Sequence, residues 1–444
     1  MRDLTKGKPM QQILLFTLPI LIGNVLQLTY SLADTRIVGS VLGDTALAAV
    51  GATTSLSSLM IGFLQGLTNG FAVIVARMFG AGDDGGLRRS VAASCVLSLG
   101  ISLVLTALGI LFLPQIFSIL HIGTDIYDLS YEYIVVIFAG MTVSALYNLC
   151  AAMLRAIGDS LTPLIFLAIS VVLNIFGDLF CMCVLDMGVR GAAVATVASQ
   201  VFATLLCLIF IYKRYEKLHL SRESFSFNRG LVHSLLGCGL SMGFMGCLVD
   251  IGSVALQTGI NTLGNDIIVA HTAARKLTEL FMLTFNVIGI TMATYAGQNF
   301  GAGRIDRVRE GARAATKIVL IWCVIVLFCS YTIAPALIRL VTGTKNETVI
   351  AAAWSYLKFD TLLYWVTAII VVLRNTMQGI GDHVTPIVSS SIECIGKIIL
   401  VNLLVAPFGY WGIIVAEPIT WCVMVIPLIV QYKRNPILKK AKLN

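Results

Sequence analysis

The feature that most constrains this chain is an internal duplication with an offset of 221 residues. An ungapped stretch of the first half matches the second half, and its ends pair Gly43-Asp44 with Gly264-Asn265 and Phe79-Gly80-Ala81-Gly82 with Phe300-Gly301-Ala302-Gly303. The same offset pairs Pro114 with Pro335 and Gly188-x-x-Gly191 with Gly409-x-x-Gly412. With a shift of two residues, Gly158-Asp159-x-x-Thr162-Pro163 falls on Gly381-Asp382-x-x-Thr385-Pro386. The chain therefore consists of two similar structural halves.

Both halves are too apolar for a water-soluble protein. Hydrophobic residues make up 57% of the chain and charged residues 12%, with a mean hydropathy of +0.90. Soluble domains carry about 25% charged residues. The apolar stretches are long enough to cross a ~30 Å hydrocarbon core at about 1.5 Å per residue. They predict twelve membrane helices, at 12–38, 46–76, 88–112, 128–153, 162–185, 191–213, 232–262, 268–298, 312–333, 350–378, 385–405 and 410–432.

The net charge of +8 is concentrated in alternate loops. Lys and Arg crowd the amino terminus, the second-to-third and eighth-to-ninth turns, the central loop and the carboxy-terminal tail, which includes Lys442. Under the positive-inside rule this pattern places both termini in the cytoplasm, as an even number of spans requires. The basic charge thus sets orientation, and we expect a lipid bilayer and no nucleic acid as a partner.

The longest polar stretch divides the chain into two lobes. We predict an amino lobe at 1–213 with six helices, a cytoplasmic linker at 214–231, and a carboxy lobe at 232–444 with six helices and a cytoplasmic tail. The predicted fold is an all-α integral membrane protein whose two homologous lobes surround a central cleft. A duplicated helical bundle of this kind typically builds a transporter. The scattered His and Cys residues suggest no metal cluster, and no nucleophile–base pattern suggests an enzyme.

Polar residues inside spans of the amino lobe are the best functional candidates, because each ionisable group at the bilayer centre costs about 2.5–3.5 kcal/mol. Asp34 lies on the first helix, Asn174 and Asp178 on the fifth and Thr196 on the sixth. Counting residues from the outer helix ends places all four at one depth, within about 5 Å. They predict a site for a proton or Na+; the alternative is a hydrogen-bonded cluster that only pins three helices together.

Pro19 lies in the first helix, 15 residues before Asp34. Proline removes a backbone donor and bends a helix. We expect Pro19 to act either as a hinge coupled to ion binding or as a passive kink.

The carboxy lobe does not repeat this pattern. Asp34 maps onto Ala255, Thr196 onto Glu417, and Asn174, with the two-residue shift, onto Lys397. Glu393 and Lys397 are four residues apart, and this spacing predicts an intrahelical ion pair. A second polar cluster is expected from Asp250, Asp360, Glu393, Lys397 and Glu417. It either lines a cavity, forms a second ion site or serves structural pairing.

The order of motifs resembles the multidrug and toxic compound extrusion (MATE) family over essentially the whole chain. The motifs are Pro19 with Leu32-Ala33-Asp34-Thr35, Ala46-Leu47-Ala48-Ala49-Val50-Gly51, Phe79-Gly80-Ala81-Gly82, Leu154-Arg155-x-x-Gly158-Asp159, Asn174-x-x-x-Asp178 and Gly191-Ala192-Ala193-x-Ala195-Thr196. The resemblance implies a monomeric antiporter of the bacterial plasma membrane that exports amphipathic, often cationic compounds. It also implies that Asp34, Asn174, Asp178 and Thr196 form a site for H+ or transiently bound Na+, without a cofactor.

Six further polar residues are candidates for a substrate cavity, or else contribute to helix packing: Tyr30, Gln65, Tyr147, Asn148, Glu279 and Gln298. A rival function is a lipid-linked precursor flippase of the same superfold. Flippases of that kind usually have more helices and a cationic cavity, whereas this chain has more acids than free bases at mid-membrane. A passive channel fits the asymmetric acid site less well.

Overall fold

The computed structural model describes residues 2–440, without the Lys440 side chain. Lys442 and the end of the predicted tail lie outside the described residues. The first half contains seven α-helices: α1 (Pro9–Leu42), α2 (Asp44–Ala81), α3 (Asp84–Leu111), α4 (Leu113–Ile119), α5 (Tyr127–Ala156), α6 (Leu161–Leu179) and α7 (Gly188–Arg214). A π-helical turn, Phe180–Val184, extends α6. Short 3₁₀ turns follow at Glu216–Leu218 and Arg222–Phe225.

The second half contains α8 (Arg229–Asn261), α9 (Asn265–Gly301), α10 (Ile305–Thr332), α11 (Ala334–Thr342), α12 (Glu347–Leu362), α13 (Tyr364–Ile380), α14 (Val384–Phe408), α15 (Tyr410–Arg434) and α16 (Pro436–Lys440). Helices satisfy every backbone group within the segment, as lipid requires. In the described part of the chain, eleven helices are long and apolar enough to cross a membrane, and α12 and α13 together make a twelfth. The prediction of an all-α membrane protein is confirmed, and the predicted spans agree closely with these helices.

The predicted tenth span is not one straight helix. α12 and α13 meet at an angle of 50°. The Thr361 hydroxyl donates to the Leu357 carbonyl at 2.7 Å, and such back-bonding bends helices. The Tyr364 hydroxyl also donates to Asp360 Oδ2 across the break, at 2.9 Å. No Pro or Gly marks this break in the sequence.

The chain divides into two compact units. Unit 1 comprises Leu18–Gly243 with Arg2 and Asp3, and unit 2 comprises Leu4–Thr17 and the chain from Phe244 onward. The predicted lobes, 1–213 and 232–444, stay a prediction. The units differ from them at two places, because the start of α1 belongs to unit 2 and the start of α8 to unit 1.

Within unit 1, α2 and the first half of α8 meet backbone to backbone. A Cβ atom at Gly66 would lie 2.6 Å from the Met242 carbonyl oxygen, and one at Gly70 would lie 2.5 Å from that of Cys238. Glycine at both positions lets the helices approach this closely, as is common between membrane helices.

The duplicated Gly-Asp-x-x-Thr-Pro motif makes the same turn in both units. Gly158 and Gly381 end α5 and α13 with φ of 86° and 100°, a conformation that glycine adopts readily. The following aspartate caps the next helix. Asp159 Oδ1 accepts from the Thr162 N–H at 3.0 Å, and Asp382 Oδ1 accepts from the Thr385 N–H at 3.0 Å.

We predict that Asp159→Ala and Asp382→Ala each lower the free energy of unfolding by about 1 kcal/mol, because each removes a helix cap. Thermal unfolding of the purified protein in detergent measures the effect. Asp84→Ala is the control, since Asp84 makes only a half-exposed ion pair with Lys217. An equal loss of stability in the control would show that the cap hydrogen bonds are not the cause.

Candidate cation site and polar cavity

Helices α1, α6 and α7 converge in unit 1. α1 packs on α6 at Gly23, where a Cβ atom would lie 3.6 Å from Leu164 and Leu167. α6 packs on α7 at Gly177, where a Cβ atom would lie 3.1 Å from the Cβ of Ala195. These close contacts place the polar residues that follow Gly177 and Ala195 at the same level.

The structure brings together all four residues of the predicted cation site. The carboxyl groups of Asp34 and Asp178 lie within hydrogen-bonding range of each other. The Asn174 amide joins Asp178 to Thr196: its nitrogen donates to Asp178 Oδ2 at 2.9 Å, and its oxygen accepts from the Thr196 N–H at 3.1 Å and the Thr196 hydroxyl at 3.2 Å. The Tyr30 hydroxyl lies 3.2 Å from Thr196 Oγ1 and completes the chain of contacts.

The acid pair lacks a positive partner among the described residues. The Oδ1 atoms of Asp34 and Asp178 are both buried, and no N–H or O–H group of the described residues donates to them. Carboxylates are acceptors only, so a hydrogen bond between the two groups requires a proton on one of them. Two adjacent carboxylates also repel each other. The pair is therefore suited to hold one proton, or to share one small cation through oxygen atoms.

The backbone changes directly after this site. α6 ends one residue beyond Asp178 and continues as the π-helical turn Phe180–Val184. Single π turns inside helices are frequent at functional sites. The turn displaces the backbone beyond Asp178 relative to a regular helix, which the sequence pattern of an uninterrupted span did not indicate.

A polar cavity of about 130 Å³ leads up to the cluster within unit 1. It extends along α1 from Pro19 to Tyr30, a rise of roughly 16 Å at 1.5 Å per residue. Asn174 and Thr196 line its end, so the Asn174 amide connects the cavity wall to Asp178. Four of the predicted substrate-cavity residues line it: Tyr30, Gln65, Tyr147 and Asn148.

Two other substrate-cavity candidates lie elsewhere, in unit 2. Gln298 is fully buried and its Oε1 accepts from the Leu4 N–H at 3.1 Å, which favours helix packing, the alternative to a cavity role. Glu279 lines a separate cavity of about 250 Å³, where it is exposed and pairs with Lys276 at 3.6 Å.

Several cavity residues were not singled out from the sequence. Asn24, Gln27 and Gln200 line the cavity, as does Arg155, whose Nη2 donates to Asn69 Oδ1 at 3.0 Å. Their spacing carried a signal, because Gln27 is three residues before Tyr30 and Gln200 is four after Thr196. Residues at such spacings share a helix face. A search of the helix face on which each predicted site residue lies would have found Gln27 and Gln200.

Unit 2 has a buried ion-pair network where unit 1 has its acid pair. Lys397 Nζ lies 3.1 Å from Glu393 Oε1, which confirms the predicted intrahelical pair, and 2.9 Å from Glu417 Oε1. Arg275 also contacts Glu417, at 3.3 Å, and Arg374 contacts Glu393, at 3.6 Å. Pairing is what makes buried charges tolerable in a bilayer. The described contacts support structural pairing for Glu393, Lys397 and Glu417.

The other two members of the predicted second cluster behave differently. Asp360 is buried at the α12–α13 break, where the Tyr364 hydroxyl donates to its Oδ2 and no described group donates to its Oδ1. Asp250 is exposed on α8, so it does not share the burial of the other four residues. The predicted cluster thus consists of one ion-pair network, one buried acid without an ion pair among the described contacts, and one exposed acid.

Comparison with known proteins decides the family. The MatE family model matches residues 19–180 and 242–411, well over half of the chain and both of its repeats. The chain belongs to the MATE family. It is therefore a multi-pass membrane transporter of the multidrug efflux class and not an enzyme, as the sequence predicted.

Sequence similarity to known multidrug resistance proteins extends over most of the length of this MATE protein. It is 28% identical over 381 residues to the probable multidrug resistance protein YpnP of Bacillus subtilis, covering 85% of this chain and 84% of that protein. It is 25% identical to the probable multidrug resistance protein NorM of Thermotoga maritima, covering 86% of this chain and 82% of that protein. A crystal structure of MATE in the bent conformation shares its fold with a TM-score of 0.92 at 23% identity, covering 99% and 98% of the two chains.

We predict that Glu417→Ala destabilises this MATE protein by about 3 kcal/mol, because it leaves the buried Lys397 and the partly exposed Arg275 without the carboxylate they share. The measurement is thermal unfolding in detergent. Glu279→Ala is the matched control in the same unit, since the Glu279 side chain is 57% exposed and its pair with Lys276 contributes little. Equal stability of the two variants would contradict a supporting role for the network.

Proposed function

We propose that this protein is a cation-coupled antiporter that exports amphipathic, often cationic small molecules. The observation that carries the proposal is the contact between the Asp34 and Asp178 carboxyl groups, which belong to different helices. Neither acid has a basic partner among the described contacts, unlike Glu417 in the ion-pair network. A site that holds one exchangeable positive charge is what coupling to an ion gradient needs.

Asp34, Asp178, Asn174 and Thr196 would bind the coupling ion, which is H+ or Na+. For H+, the two carboxyl groups share the proton, and the Asn174 N–H group stabilises the carboxylate that remains. For Na+, the free Oδ1 atoms and the Thr196 hydroxyl offer the oxygen ligands that a hard cation prefers. No other cofactor enters the proposal.

The cavity of unit 1 suits the ion better than the substrate in this conformation. Its volume of about 130 Å³ is below the roughly 300–1,000 Å³ of sites for drug-sized molecules. It is large enough to hold several water molecules. We propose that water in this cavity gives the ion a route along α1 to the acid pair, and that substrate binding requires a wider state.

We propose an alternating-access cycle in the plasma membrane with both termini in the cytoplasm. Substrate binds from the cytoplasm or the inner leaflet and leaves outward when the ion binds at Asp34 and Asp178. The ion then moves inward down its gradient, which is worth about 2.3 kcal/mol per charge per 100 mV, plus the concentration term. A bend of α1 at Pro19 would connect ion binding at Asp34 to the opposite end of the helix. The cation site lies within one chain, so a monomer suffices.

The test is dye efflux from proteoliposomes under an imposed pH gradient or an imposed Na+ gradient. We predict that Asp34→Asn and Asp178→Asn each lower the rate of gradient-driven efflux at least tenfold. An amide cannot exchange a proton, and it binds cations more weakly than a carboxylate. We predict a partial loss for Thr196→Ala, which removes one hydroxyl and leaves both acids. The gradient that drives wild-type efflux identifies the coupling ion.

Asp44→Asn is the matched control, because Asp44 is an exposed acid at the first residue of α2. Size-exclusion chromatography establishes that each variant remains folded and monodisperse. Wild-type efflux in Asp34→Asn would refute the coupling site. Gradient-independent movement of a lipid-linked anion, without dye efflux, would instead favour the flippase.

A further inference from the structure

A second cavity in unit 1, of about 500 Å³, plays no part in the proposed coupling mechanism. It lies where α2 ends and α3 begins, next to the start of α8. Its volume falls within the roughly 300–1,000 Å³ typical of small-molecule sites. In the orientation proposed above, with both termini in the cytoplasm, this end of the helices faces the cytoplasmic side.

The internal repeat shows which side chains occupy the corresponding place in unit 2. With the offset of 221 residues, Gly86 and Ile74 at the cavity correspond to Arg307 and Tyr295 of unit 2. Arg307 is buried there and donates to the backbone carbonyl groups of Gly7 at 2.9 Å and Leu4 at 3.2 Å. The corresponding carbonyl-bearing segment of unit 1 includes Ser226 and Asn228. Unit 1 thus has the corresponding backbone segment, but glycine and isoleucine stand where unit 2 has the large side chains of Arg307 and Tyr295.

Two arginines give the charged side chains that line this cavity a net positive charge. Arg77 and Arg89 line it from α2 and α3, against one acid, Asp83. Asp83 Oδ1 is engaged as a helix cap, accepting from the Gly86 N–H at 2.8 Å. The first turn of α8 is also capped, since Asn228 Oδ1 accepts from the Leu231 N–H at 2.8 Å. The arginine side chains are therefore the main recognition groups.

The wall of the cavity also contains a buried hydroxyl group without a hydrogen-bond partner among the described residues. Ser90 lines the cavity and is 0% exposed, and its Oγ has no hydrogen-bond partner among the described residues. Buried hydroxyl groups normally have a partner. In unit 2 the corresponding residue is Gly311, against which the Tyr295 ring packs, so the hydroxyl is not required to join the two helices.

We propose that this cavity binds a phosphate-bearing anion, with Arg77 and Arg89 on its oxygens and the Ser90 hydroxyl as an additional donor. Arginine matches phosphate geometry through two parallel N–H donors. Basic cavities between membrane helices on the cytoplasmic side bind anionic lipid headgroups. A phospholipid headgroup and free phosphate share this chemistry, and the experiment below separates them.

The test uses the purified full-length protein in detergent. Native mass spectrometry counts bound phosphatidylglycerol, with phosphatidylcholine as the neutral-headgroup comparison, and thermal unfolding measures stabilisation by inorganic phosphate. We expect one preferred site for either phosphatidylglycerol or inorganic phosphate. Arg89→Gln should weaken it about tenfold, because it removes charge-assisted hydrogen bonds.

Arg88→Gln is the matched control, with the same loss of charge at the neighbouring position. Arg88 Nη2 donates instead to the Glu216 carbonyl, at 3.4 Å, and Arg88 does not line the cavity. We expect its affinity to stay within about twofold of wild type, since it loses no direct contact. A loss as large as that of Arg89→Gln would indicate diffuse surface charge and overturn the proposal.

Ser90→Ala separates ligand binding from folding. Its hydroxyl makes no hydrogen bond in the ligand-free structure, so the variant should unfold at the wild-type temperature or above without a phosphate compound. With the compound, it should be stabilised less than wild type. Equal stabilisation of both proteins, or no preferred binding of either probe to wild type, would refute the site. These readouts do not depend on transport, so failure of the antiport proposal leaves them unchanged.

Discussion

A polar group inside a bilayer must find its partner within the protein, and the fold of this chain is arranged around that constraint. In unit 2, Lys397 lies between Glu393 and Glu417, and arginines contact both acids from outside the pair. In unit 1, Asp34 and Asp178 have each other and an amide. The first arrangement pairs opposite charges on fixed side chains. The second has two acids and no basic partner among the described contacts, and we propose that an exchangeable cation binds there.

The duplication makes this contrast informative, because the two repeats share one scaffold but carry different buried polar residues. The turns have been kept, as the aspartate caps at Asp159 and Asp382 show. The interiors have changed: Thr196 of the cation site corresponds to Glu417 of the ion-pair network. The residues of the proposed cation site therefore lie at positions where the repeats differ, and the helix caps lie at positions that the repeats share.

Much of the fold could be predicted from the sequence, because hydropathy fixes where a chain crosses a bilayer. The four cation-site residues could also be placed together, since depth follows from counting residues along outward- and inward-running helices. The sequence left the role of Gln298 open, because a buried amide that bonds a distant backbone looks the same in sequence as one that faces a cavity. The break after Asp360 was missed because hydrogen bonds of Thr361 and Tyr364 mark it, rather than Pro or Gly.

The assignment of Leu4–Thr17 to unit 2 and of the start of α8 to unit 1 has a consequence for ancestry. A protein made from a single repeat would lack the opening segment that each unit takes from the other repeat. Cutting the modern chain at its central loop would therefore give two fragments, each without a segment that belongs to its compact unit.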